Sequence, residues 1–265
     1  MKQLPPIALL TDFGLKDHYV ASLKGVIASI DSQIKVIDIC HEVSPQNIRQ
    51  GAFILREVFK LFPKGTIFVC VVDPGVGSSR RAIAVRHDRG VLMGPDNGLL
   101  SLALESVHRY EAREIACTDL FRKPVSNTFH GRDIFAPVAA HLAREYPFQK
   151  IGPAIGNIRT LNVPVKTVNR HSVQGEVIYI DQFGNGITNI DRASVKLKKI
   201  SGIRLRNHLI KRVLTSFSSG HENELIAVWN SSEMLEFAVP NGSAVKSYKI
   251  KLGDQVKVTF VEARF

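Results

Sequence analysis

Residues 66–73, TIFVCVVD, form a nearly continuous apolar, β-branched run of strand length. A strand with no polar side has to be covered on both faces, which is the situation of a strand in a parallel sheet flanked by helices. The neighbouring segments agree. IALLTDF (Ile7–Phe13) and KVIDIC (Lys35–Cys40) are further short strand-like runs, and AIAV and GVLMG follow as two more. Between them, Asp17–Ile30 carries Val20, Leu23, Val26, Ile27 and Ile30 near helical spacing, and Pro45–Phe62 is amphipathic. Asn97–Leu104 starts another helix, and Gly131–Glu145 predicts one more. Strands alternating with helices predict an α/β domain with a largely parallel sheet over residues 1–165.

The pattern changes after Pro164. VPVKTVNRHSVQG is a polar, breaker-containing connection. From Val173 onward the segments are short, alternating, and separated by Gly, Asn and Ser: QGEVIYID, ISGIRLR, LIAVWN, MLEFAV and QVKVTFVEA. That predicts an antiparallel β-barrel domain over residues 174–265.

With 265 residues, 45% of them hydrophobic, the chain can bury two such cores. No apolar run approaches the roughly 18 residues that span a bilayer, so no membrane partner is expected. Met1–Leu10 lacks the apolar core and cleavage site of a secretory signal, and a soluble, cytoplasmic protein is expected. Cys40, Cys70 and Cys117 form no CxxC pair, which argues against a disulfide framework and a thiolate zinc site. The net charge of +11 raises the question of a polyanion partner. Much of the excess lies in residues 192–212, where Lys and Arg alternate with apolar residues and no aromatic residue is interleaved to stack on bases. A solvated strand face is the expectation there, and nucleic acid is not an expected partner.

Three clusters could carry chemistry. Asp12 and Asp73 each end a strand, where α/β sheets gather functional groups. Asp73 opens DPGVGSSRR, whose Pro74, Gly75 and Gly77 permit tight turns that return Arg80 and Arg81 beside the carboxylate. The loop lacks the ending and spacing of a P-loop. SNTFHGRDIF places His130, Arg132 and Asp133 at a loop-to-helix junction, where an anion or a polarised water could sit; a plain Asp133–Arg132 pair would also explain it. YIDQFGNGITNI gathers Asp181, Asn185 and Asn189 around two glycines; a hairpin explains the Asn and Gly but not Asp181, Phe183 and Thr188. No metal-ligand spacing is present, which disfavours a metal-activated water.

Read together, these segments resemble the S-adenosyl-L-methionine hydroxide adenosyltransferases, relatives of the fluorinase and chlorinase enzymes. The resemblance runs through TDFG (Thr11–Gly14), HEVSP (His41–Pro45), DPGVGSSRR (Asp73–Arg81), GPDNGLL (Gly94–Leu100), TFHGRD (Thr128–Asp133), FGNGITN (Phe183–Asn189) and NSSEMLEFAVPNG (Asn230–Gly242). Seven motifs in order over nearly the whole chain are specific, and the family's α/β-then-barrel layout agrees with the pattern above.

The resemblance implies roles. Asp12 matches the carboxylate that holds the ribose hydroxyls, and Phe183 with Asn185 matches the pair that contacts adenine. Asp181 and Ser231 match residues holding the methionine amine and carboxylate, with Ser232 and the backbone near Asn241 in the same region. Asp73, Arg80 and His130 match the triad of the water-using members; halogenating relatives place Tyr at Asp73 and lack the His. The implied reaction is hydrolysis of S-adenosyl-L-methionine to adenosine and L-methionine, by in-line attack of water on the ribose 5′ carbon. The resemblance implies S-adenosyl-L-methionine as the small-molecule partner, no metal or redox cofactor, and a homotrimer with sites at subunit interfaces. The competing readings are a halogenase of the same family and a non-catalytic protein that binds S-adenosylmethionine or nucleic acid.

Overall fold

The computed structural model describes residues 3–195 and 198–261 and divides into two compact units, Met1–Leu161 and Asn162–Phe265. The first unit contains β1 (Ile7–Thr11), β2 (Val36–Cys40), β3 (Thr66–Val71), β4 (Ala82–His87), β5 (Gly90–Pro95), β6 (Tyr110–Glu114) and β7 (Ala154–Ile155). They form one sheet in the order β2-β1-β3-β5-β4-β6-β7. The β2-β1-β3-β5 portion is parallel, as expected. The remaining pairs are antiparallel; for β4 and β5 this follows from the link, since only Asp88 and Arg89 separate them and two residues can join antiparallel neighbours alone.

Every residue of β3 is buried, as its unbroken apolar run requires. Helices α1 (Tyr19–Ile30), α2 (Ile48–Val58), α3 (Ser101–Leu104) and α4 (Ala136–Ala143) complete this unit. α1 buries Val20, Leu23 and Ile27, the stripe its spacing predicts. α2 starts where the Asn47 side chain accepts the Gln50 N–H at 3.0 Å. The helix expected over Gly131–Glu145 begins differently: Gly131–Phe135 is one π-helical turn, and regular α geometry starts at Ala136. Such turns recur at functional sites.

The second unit contains β8 (Thr167–Val168), β9 (Ser172–Ile180), β10 (Gly186–Asp191), β11 (Ile200–Leu205), β12 (His208–Ile210), β13 (Val213–Leu214), β14 (Ile226–Trp229), β15 (Met234–Ala238) and β16 (Gln255–Phe260), with α5 (Ala244–Tyr248). These strands form a barrel-like sheet in the order β12-β11-β16-β9-β10-β15-β14-β13, with β8 on β9. All pairs are antiparallel except β13 with β14. Val173, Val177, Ile203, Leu205, Leu235, Phe237 and Val258 line its core.

The basic stretch behaves as its alternation suggests: Ile203 and Leu205 are buried while Arg204 faces outward. Arg192 pairs with Glu233, Lys198 lies 4.4 Å from the Phe260 ring centroid, and Arg206 donates to the Lys249 carbonyl. Lys196, and the end of the QVKVTFVEA segment beyond Val261, lie outside the described residues. Among the described residues no helix is long and apolar enough to cross a membrane.

Candidate active site

β3 delivers the chain to Asp73, and consecutive turns then fold it back toward β4. The Val76 N–H donates to the Asp73 carbonyl, and both the Ser78 N–H and hydroxyl donate to the Gly75 carbonyl. Gly77 sits at φ 79°, and a Cβ there would lie 2.4 Å from the Asn127 carbonyl oxygen. Only glycine lets this loop pack so closely on the segment leading to His130.

The result is a continuous cluster. Arg80 Nε donates to Asp73 Oδ1 and Oδ2 at 3.0 and 2.9 Å, and Nη2 reaches Oδ2 as well. Nη2 also donates to His130 Nδ1 at 2.8 Å. Arg80 and Asp73 side chains are 8% and 5% exposed, so the pair is desolvated as well as bonded. Arg81 takes another course from the one expected: it pairs with Asp96 and with the Asn157 carbonyl. The backbone ahead of β4 thus sends the two neighbouring arginines to different carboxylates, Arg80 to Asp73 and Arg81 to Asp96.

A guanidinium has donors only, so His130 Nδ1 is the acceptor and the proton of the neutral ring resides on Nε2. Burial pushes the His130 imidazole below its ordinary value; Arg80 adds to this, and Asp73 and Asp133 offset it only in part. Behind it, Asp133 is fully buried and accepts from Arg132 Nε at 2.7 Å, Arg132 Nη2 at 2.9 Å and the Ser126 N–H at 2.8 Å. Burial raises the Asp133 carboxyl, but these donors and Arg122 outweigh it and hold the group below the usual carboxylate range. The Arg132–Asp133 pair is therefore present, and it also anchors the loop that carries His130.

Asp12, Asp73 and His130 line one cavity of about 640 Å³. Its apolar wall includes Phe13, Tyr19 and Phe129, with ring centroids 5.2–5.9 Å apart. These aromatics went unassigned from sequence, although Phe13 and Phe129 stand inside TDFG and TFHGRD. Asp12 Oδ2 accepts the Gln46 N–H at 2.8 Å.

The second unit brings Phe183, Asn185 and Asn241 to a cavity of about 670 Å³. Phe183 is 67% exposed, a large aromatic face left free at the tip of the β9–β10 hairpin. The other two residues are placed differently. The Asp181 carboxylate faces its own turn, accepting the Phe183 and Asn185 N–H groups at 2.9 and 2.8 Å and Asn185 Nδ2 at 3.1 Å. Ser231 stands with Ser232 on a separate turn, where Asn230 Oδ1 accepts the Ser232 and Met234 N–H groups. Both turns lean on Glu236, a buried β15 residue that sequence reading passed over as part of a strand. Burial pushes its carboxyl up, the Asp181 charge adds to that, and hydrogen bonds to Asn230 and Asn185 offset it in part.

The first cavity thus presents a carboxylate and an imidazole N–H bridged by a guanidinium, which suits holding a water between an acceptor and a donor. The second presents an aromatic face and a side-chain amide, which suits a planar heterocycle. Among the described residues no three His, Cys, Asp or Glu side chains are grouped to hold a metal.

Comparison with known proteins is consistent along the chain. The model of the SAM hydroxide adenosyltransferase N-terminal domain matches residues 7–152, and that of the C-terminal domain matches residues 175–257. A protein of Thermus thermophilus named (R)-S-adenosyl-L-methionine hydrolase is 37% identical over 96% of this chain and 99% of its own length. One of the same name from Methanocaldococcus jannaschii is 32% identical over 96% and 95%. A fluorinase of Actinopolyspora mzabensis is 30% identical over 96% and 97%. Among solved structures, an uncharacterized conserved protein from Thermotoga maritima superposes with a TM-score of 0.88 at 38% identity, covering 96% of this chain and 99% of that one.

Proposed function

This chain belongs to the SAM hydroxide adenosyltransferase family, and on that premise we propose that it hydrolyses S-adenosyl-L-methionine to adenosine and L-methionine at the Asp73–Arg80–His130 cluster. The observation that carries the reading is the Arg80 guanidinium bonded at once to the Asp73 carboxylate and to His130 Nδ1, two groups that line one cavity with Asp12.

The reacting centre is the ribose 5′ carbon, attached to a cationic sulfur. The sulfur leaves as a neutral thioether, so the leaving group needs no proton. The site has to supply an oxygen nucleophile in line with the carbon–sulfur bond. The carboxylate of Asp73 accepts one O–H of the water and His130 Nε2–H donates to its oxygen, which orients the remaining lone pair. Because His130 Nδ1 is occupied by Arg80, the imidazole acts as a donor, and Asp73 is the acceptor toward which the water's proton moves. Opposite charges are consumed as the oxygen meets the sulfonium, so a site poor in bulk water favours the step. The wall of Phe13, Tyr19 and Phe129 supplies that environment.

In this reading Asp12 holds the ribose hydroxyls, Phe183 stacks on adenine, and Asn185 reads its edge, with the amide turned by Asp181. Ser231 and the backbone near Asn241 receive the methionine end together with Asp181. Residues 1–165 form the nucleophile and ribose domain, and residues 174–265 the adenine and methionine domain. Asp12, Asp73 and His130 line a cavity of the first unit, Phe183, Asn185 and Asn241 line one of the second, and this division supports a homotrimer whose copies complete one another's sites. Three unpaired cysteines suit a reducing cytoplasm. The name of the relatives specifies the (R) form, and we extend that preference to this chain.

Heavy-oxygen water tests the reaction. The label is expected in the 5′ hydroxyl of adenosine, with methionine unlabelled. A 5′-chloro nucleoside in high chloride would show a halogenase instead, and free adenine would show glycosidic cleavage.

A further inference from the structure

The motif His41–Pro45 takes no part in the chemistry above, yet its segment is tied to the Asp12 turn at several points. The buried Thr11 side chain lies 2.8 Å from His41 Nδ1, and its oxygen accepts the Phe13 N–H at 3.3 Å. The Gly14 N–H donates to the His41 carbonyl at 2.8 Å. The Gln46 N–H donates to Asp12 Oδ2 at 2.8 Å, from a residue held at φ 65°. His41 is itself buried, and its Nε2 lies 3.1 Å from Asp38 Oδ1, whose partner oxygen pairs with Lys24 of α1 at 2.7 Å. A carboxylate beside Nε2 favours the ring proton there, so Nδ1 accepts the Thr11 hydroxyl, and the Thr11 oxygen is left to accept Phe13 N–H.

These bonds hold both ends of the turn and one oxygen of the Asp12 carboxylate. A vicinal diol presents two donors at a fixed separation, and it is recognised best by a carboxylate whose two oxygens cannot rotate away. Left-handed backbone at a non-glycine residue persists only where the surroundings require it, and here it aims an N–H at Asp12.

We propose that the His41–Gln46 segment is a clamp that preorganises Asp12, with Thr11, His41 and the Gln46 backbone as positioning residues that set the demand for a ribose 2′-hydroxyl. The proposal rests on the assignment of Asp12 to the ribose.

The test compares S-adenosylmethionine with its 2′-deoxy analogue on the full-length protein. Thr11→Val keeps shape and burial but removes the oxygen. We expect it to raise KM for the ribose substrate about threefold to tenfold with kcat within about twofold, and to shrink discrimination against the deoxy analogue by a similar factor. Gln46→Gly and Gln46→Val lose the same side chain, but only glycine accepts the left-handed backbone, so the valine variant should show the larger KM and the smaller discrimination. The Gln46 pair lies in an exposed segment and carries the test if Thr11→Val does not fold. Full discrimination in Thr11→Val, or equal behaviour of the two Gln46 variants, overturns the clamp. Asp12→Ala separates the two readings: if it too discriminates as the parent does, the ribose assignment fails and the clamp fails with it.

Discussion

Arg80 Nη2 donates to His130 Nδ1 at 2.8 Å, joining two loops of the first unit and setting which ring nitrogen holds the proton. That bond decides how the imidazole can act. With Nδ1 occupied, the neutral ring offers one donor, Nε2–H, and the acceptor of the cluster is the Asp73 carboxylate.

Removing either group that faces the water should therefore affect the chemical step. We expect His130→Ala and Asp73→Asn to lower kcat by about a hundredfold or more, in the range for a positioned proton-transfer group. Substrate affinity should stay within about tenfold, or 1.4 kcal/mol, because other residues hold the nucleoside. Calorimetry on the variants with single-turnover rates checks this; normal turnover of His130→Ala would remove the residue from the reaction.

The pH dependence has a defined sign. Burial and Arg80 place the His130 imidazole below 6.5, so the folded protein takes up this proton only in acid. kcat/KM should be level above pH 6.5 and fall below it, as a proton on Nδ1 confronts the guanidinium. The unfolded chain binds the proton more readily, so this group's contribution to stability is present above 6.5 and is lost as pH falls through the folded value. An acid limb in His130→Gln as steep as in the parent protein would assign the titration to another group.

Gly77 tests the loop geometry apart from the chemistry. A methyl group at this position would meet the Asn127 carbonyl at 2.4 Å, on a backbone with φ 79°. Gly77→Ala should lose about 1–3 kcal/mol of stability and lower kcat more than KM, since the displaced loop carries Arg80 away from His130. Thermal unfolding beside steady-state kinetics measures both; parent-like values for the two would show that the loops need not meet.

Sharing of sites between copies is open to complementation. Asp12→Ala and Asn185→Ala chains, each with strongly lowered activity, should regain part of it when they are unfolded, mixed and refolded into verified mixed oligomers. Absence of recovery there would place each complete site within one chain.

The two epimers of the sulfonium centre should be distinguished. A pyramidal sulfur fixed by its ribose and methionine arms can change only the place of its methyl group, and that alters how the 5′ carbon lies before Asp73 and His130. We expect the (R) form to be consumed with the higher kcat/KM, followed as adenosine release from each separated epimer. Equal values for both would refute the preference.

The periodicity of the chain determined the fold class, because an unbroken run such as Thr66–Val71 is stable only when covered on both sides. Segments such as QVKVTFVEA alternate because one face of a barrel strand packs inward. The motifs also marked Asp12, Asp73, Arg80 and His130, since the glycines and turn formers around them are visible in one dimension. Other relationships depended on tertiary structure. That Arg80 meets Asp73 while Arg81 meets Asp96 is decided by the folded backbone, and the pattern DPGVGSSRR by itself is silent on that. The roles of Thr11 and Glu236 were hidden because a buried polar residue within an apolar strand reads as a minor break in pattern. Its partners come from distant segments, His41 for Thr11 and Asn185 for Glu236, and only folding brings those groups within hydrogen-bonding distance. Local sequence sets element type through short-range sterics and burial, whereas the orientation of a side chain is set by the atoms that surround it in space.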